Sequence, residues 1–108
     1  MADTNAIDKV NLSAKEDKFK EIFFTIKQEL TSASLDIEAD NASITINSNN
    51  PDPTKISIEV TDHVYRVIYW DGYAVNEYYD YQNLNKALKK FRKFSEKALI
   101  NIKKFGIK

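Results

Sequence analysis

Between Leu35 and Ile46 the chain alternates apolar and polar residues in two runs that meet at Asp40-Asn41. Leu35, Ile37 and Ala39 alternate with Asp36, Glu38 and Asp40; Ala42, Ile44 and Ile46 alternate with Ser43, Thr45 and Asn47. Successive side chains of a strand point to opposite faces, so this period of two demands strands with one apolar face. Closing the chain at Asp40-Asn41 sets 39 opposite 42, 37 opposite 44 and 35 opposite 46, apolar on both sides. A one-residue slip would send the apolar set to the wrong face.

The same pattern recurs further on. Ile56, Ile58 and Val60 alternate with Ser57, Glu59 and Thr61, and Asp62-His63 turns the chain into a strand over 64–70. Asp71-Gly72 then reads as a type I′ hairpin turn, which needs positive φ, into a strand over 73–79. Val67 is thereby expected opposite both Ile58 and Asn76.

Helical periods flank these strands. Phe19, Ile22, Phe23, Ile26 and Leu30 form one stripe of a helix expected over 14–32, behind a Ser13-Ala14-Lys15-Glu16 capping box. Asn83 is an N-cap for a second helix with Leu84, Leu88, Phe91, Ala98 and Ile102 on its stripe and Gly106 as its stop. The expected fold is α+β, in the order α-β-β-β-β-β-α, with an antiparallel five-strand meander and both terminal helices on one face. Residues 1–12 lack periodicity and read as a flexible arm; 13–108 form a single domain.

Chemistry is sparsely represented. Without Cys there is no disulfide, thiolate zinc site or thiol nucleophile, and a single His excludes a multi-histidine metal site. Two glycines cannot build a phosphate-cradling loop. Asp62-His63 is the sole acid–imidazole neighbour pair, and turn neighbours point away from a common substrate. Asp36, Glu38, Asp40 and Asn41 alternate with apolar residues as a strand face does, and lack the Gly of a calcium loop. The chain is therefore expected to be non-catalytic, with no cofactor and no metal. No apolar run approaches the roughly 18 residues of a membrane span, and the polar start resembles no secretory signal, so the expected setting is cytoplasmic. Lys outnumbers Arg 14 to 2, as in AT-rich coding, which points to a bacterial or phage source.

Zero net charge conceals an asymmetry. Residues 1–82 hold 7 basic and 15 acidic side chains, whereas 83–108 hold 9 basic ones and Glu96. Lys86, Lys89, Lys90, Lys93 and Lys97 beside neighbouring tyrosines make one candidate surface, for nucleic acid. The other candidate is a sheet face. The two expected turns align Glu59, Arg66 and Glu77 in a charged row, which puts Ile68, Trp70, Tyr73, Val75 and Tyr79 on the same face. Solvated sheet faces are usually polar, whereas aromatic side chains around one Arg are enriched in protein interfaces. The leading expectation is a small protein-binding protein whose partner is another protein or a second copy of itself. Inhibitors, immunity proteins and mobile-element accessory proteins share this size, by analogy alone. The alternative is nucleic-acid binding through the basic helix.

Overall fold

The computed structural model describes residues 12–30, 32–47, 52–61, 64–72 and 76–103. A 3-10 turn, Leu12–Lys15, leads into helix α1, Glu16–Lys27. Five strands follow: β1 Ala33–Ile37, β2 Asn41–Ile46, β3 Thr54–Val60, β4 Tyr65–Trp70 and β5 Asn76–Tyr81. Helix α2 spans Leu84–Asn101, with the Asn83 side chain accepting from the Lys86 amide at 3.1 Å as the expected N-cap. Each strand pairs antiparallel with the next, in the order β1-β2-β3-β4-β5. The fold is therefore the expected α+β meander between two helices.

The apolar stripes meet in one core. Phe19, Ile22 and Ile26 from α1 join Phe91, Phe94 and Ala98 from α2 and Ile44, Ile56, Ile58, Val67 and Tyr69 from the sheet, all buried. Both helices thus cover the same sheet face. The Phe19 and Phe91 rings meet edge to face at 5.2 Å, a favoured aromatic geometry. Arg92 to Glu21 at 3.6 Å and Lys103 to Glu29 at 2.5 Å show that α1 and α2 run in the same direction. Among the described residues no helix is long and apolar enough to cross a membrane.

Two local expectations fail, each for a physical reason. Helix α1 begins at Glu16 with Lys15 as its cap and no side-chain cap bond, so Ser13 lies in the preceding turn instead of at the N-cap. That tighter turn carries Leu12 into the core, fully buried. The remaining arm, residues 1–11, lies outside the described residues, as do the Asp62-His63 turn and Gly106. Helix α1 also ends at Lys27, short of the expected end, because Ala33 already enters β1 opposite Ile46.

The first hairpin is shifted. Leu35 faces Ile44 and Ile37 faces Ala42, so Ile37 does not meet Ile44. The turn centres on Ala39-Asp40, closed by the Glu38 amide donating to the Asn41 carbonyl at 2.7 Å. Both turn carbonyls are taken by neighbouring segments, Ala39 by the Leu12 amide at 2.8 Å and Asp40 by the Val60 amide at 2.9 Å. Moving the turn centre by one residue moves the register by two, which preserves the faces.

The third hairpin differs more. Ile58 does face Val67, but Val67 faces Tyr79 in β5, not Asn76. The β4–β5 register is displaced by three residues, an odd number, so every β5 side chain changes face. Asp71 and Gly72 are committed elsewhere: the Thr54 hydroxyl donates to the Asp71 carbonyl at 3.0 Å and the Asp52 amide to the Gly72 carbonyl at 3.0 Å. Gly72 does adopt the expected positive φ, at 88°. These two residues are tied to the segment that leads into β3, and the strands pair next at Trp70 and Asn76.

Candidate binding surfaces

The sheet face turned away from the helices is built from the alternate residues of every strand. Its rows follow from the registers: Asn41, Glu59, Arg66 and Asp80; then Asp36, Ser43, Ser57, Ile68 and Tyr78; then Ser34, Thr45, Lys55, Trp70 and Asn76. It is polar over β1 to β3; over β4 and β5 it carries Ile68, Trp70 and Tyr78 among Arg66, Asn76 and Asp80. Ile68 and Trp70 are half-buried, and Tyr78 is 56% exposed. Among the described residues, neither helix covers any of this face.

Arg66 anchors the aromatic end. Its Nε donates to Asp80 Oδ1 at 2.8 Å and its Nη2 to Oδ2 at 3.0 Å, a bidentate pair. The guanidinium also lies 4.4 Å from the Tyr78 ring centroid, a cation–π contact. The Arg66 hydrogen bonds hold the Asp80 carboxyl below its ordinary range, and those to Asp80 raise Arg66. The guanidinium is thereby fixed in orientation at the surface. Beside it, the small Ser43 and Ser57 leave a shallow depression of about 230 Å³ rimmed by Asp40, Lys55 and Glu59.

The expected site is therefore partly reassembled. Glu59, Arg66, Ile68 and Trp70 share the open face as expected. Glu77 and Tyr79 do not; the displaced register turns them to the helix side, where Glu77 accepts from Lys97 at 2.6 Å and Tyr79 lies 6.0 Å from the Phe94 ring. Asp80 takes the place expected of Glu77 beside Arg66, and Tyr78 takes that expected of Val75 opposite Ile68. Tyr73 and Val75 lie outside the described residues. Sequence reasoning missed Tyr78 and Asp80 because β5 has tyrosines on both faces, so alternation alone does not orient it. The one available signal was an acid at the row position opposite Arg66, and Glu77 and Asp80 both satisfied it.

The basic helix divides into two sets of cations. Arg92 and Lys103 are paired to α1, and Lys97 is pinned by Glu77 and lies 5.2 Å from the Tyr69 ring. The Glu77 hydrogen bond raises the Lys97 ammonium above its ordinary value. Lys86, Lys89, Lys90 and Lys93 instead line one groove of about 290 Å³ with Tyr81. Lys90 sits 4.2 Å over the Tyr79 ring and 4.8 Å from that of Phe94. Of the five expected nucleic-acid contacts, Lys97 is thus set apart from the other four.

Among the described residues no group of three or more His, Cys, Asp or Glu side chains could hold a metal. The chain matches no family model, no curated protein and no solved structure.

Proposed function

We propose that this protein is a non-catalytic binding protein that engages a partner protein through the open face of its sheet. The observation that carries the reading is Ile68, Trp70 and Tyr78 sharing with an oriented Arg66 a face that no described element covers. Interface hot spots are rich in Trp, Tyr and Arg, and a pre-oriented side chain loses less entropy on binding than a free one. The adjoining depression complements a partner that sets an apolar side chain on Trp70 and a Lys or Arg between Asp40 and Glu59. We place the protein and its partner in the cytoplasm.

The test compares proteins retained from native lysate by wild type, Trp70→Ala, Arg66→Ala and Lys89→Ala, followed by titration with the purified candidate. A partner lost with Trp70→Ala and Arg66→Ala but kept with Lys89→Ala, and shifting Trp70 emission to the blue on binding, is the expected result. A second copy of the chain would show the same shift with protein concentration alone. A blue emission independent of concentration and partner, or a partner indifferent to both substitutions, would overturn the reading.

A further inference from the structure

Helix α2 and strand β5 run antiparallel beside each other, and their facing side chains interleave. Glu77 meets Lys97, Tyr79 meets Lys90, and Tyr81 shares its groove with Lys86, Lys89, Lys90 and Lys93. The lower end of this ladder is neutralised; the upper end is not. Among the described residues the four groove lysines make no ion pair, although the chain carries 16 acidic side chains. Lysines three and four residues apart on a helix repel each other. Only Lys90 has a stabilising contact in the fold, over the Tyr79 and Phe94 rings, among the described residues.

We propose that this groove binds the phosphate backbone of a single-stranded nucleic acid, with the four lysines on phosphates and the Tyr81 ring beside a base. Charge complementarity selects a polyanion. Two features select among polyanions. An aromatic ring in a cationic groove offers the stacking platform that single strands use and paired bases do not. From Lys86 to Lys93 the helix advances about 10 Å, room for a few phosphates and too little for the face of a duplex. The site is separate from the open sheet face and does not depend on it.

The experiment is fluorescence anisotropy with a labelled oligothymidylate of about 12 nucleotides at several salt concentrations. Two to four phosphate contacts give a log–log salt slope of about −1.4 to −2.8, so affinity falls about seven- to fifty-fold between 50 and 200 mM salt. Lys89→Ala/Lys93→Ala, both exposed positions, should lose tenfold or more in affinity and flatten the slope by about 0.7 per lost contact. Circular dichroism melting checks that this variant folds. Lys55→Ala, which removes a cation from the open face, and Trp70→Ala should bind as wild type does. Absence of single-strand binding at 50 mM salt, or unchanged binding by the folded double variant, would overturn the proposal. So would equal competition by a duplex, polyglutamate or phosphatidylserine vesicles, which would make the groove a general anionic contact.

Discussion

Phe91 is where the helical layer is most exposed to perturbation. Its side chain is fully buried and stands edge-on to Phe19, itself fully buried, at 5.2 Å and 88°. Truncating a core Phe to Ala costs about 3–5 kcal/mol, of which the aromatic pair supplies about 0.5–1.5. With Ala87 and Ala98 as core neighbours on α2, there is little side chain nearby to collapse into the void, so Phe91→Ala belongs in the upper half of that range. A domain of this size has about 5–15 kcal/mol in total. At a urea slope of about 1–2 kcal/mol per molar, the midpoint should fall by about 2 M or more. Leu88 is only half-buried, so Leu88→Ala should cost about 1–2.5 kcal/mol, half the core range. Lys89→Ala should stay within about 0.5 kcal/mol. Urea unfolding followed by far-UV circular dichroism and by Trp70 fluorescence reads all three. A Phe91→Ala cost below about 2 kcal/mol, or a Lys89→Ala cost equal to that of Leu88→Ala, would refute the assignment of the apolar stripe to the core and the lysines to solvent.

Gly72→Ala should lower Tm by about 5–10 °C, since its φ of 88° costs a Cβ-bearing residue about 1–2 kcal/mol; an unchanged or raised Tm on calorimetry would contradict that geometry. Stability should also fall at both pH extremes. Asp80 is held below its ordinary 3.8 by the Arg66 hydrogen bonds, so its contribution is present above that value and lost as pH falls through the lowered pKa; Asp80→Asn should remove this acid arm. Lys97 is raised from 10.5 by Glu77, and Tyr65 and Tyr69 are raised from 10.0 chiefly by burial. Their contributions are complete below the ordinary values and lost as pH climbs through the raised ones, so urea midpoints should drop above about pH 10, less steeply in Tyr69→Phe.

What the sequence makes legible depends on how one-sided each segment is. In β3 and the core side of β4, one parity of each strand carries Ile56, Ile58, Tyr65, Val67 and Tyr69, so only registers of one parity bury them together; among these, a turn at Asp62-His63 sets Ile58 opposite Val67, as observed. In β5, tyrosines occupy both parities, so burial hardly separates the two faces and the turn decides. Its first two residues, Asp71 and Gly72, are bonded to Thr54 and Asp52, seventeen and twenty residues away, bonds that no local pattern encodes. The α2 stripe and its Asn83 cap are legible because they are local. Which of its lysines are neutralised is not, because the parallel course of α1 and the new face of Glu77 choose the pairs. The composition of the open face was legible around Arg66, Ile68 and Trp70, whereas its Tyr78 and Asp80 depended on the same displaced register.

Strand β5 is an outer strand of the sheet, and half of its backbone hydrogen-bonding groups point away from β4. Tyrosine-rich edges of this kind invite another chain to add a strand and propagate into aggregates. Here each face of the edge carries an acid, Glu77 toward the helices and Asp80 on the open side, and both are tied to cations. An added strand would have to cover the Glu77–Lys97 pair on one side and the Arg66–Asp80 pair on the other, taking both from water. The helix-side Glu77 is thus a charge of the kind that disfavours edge-to-edge strand pairing.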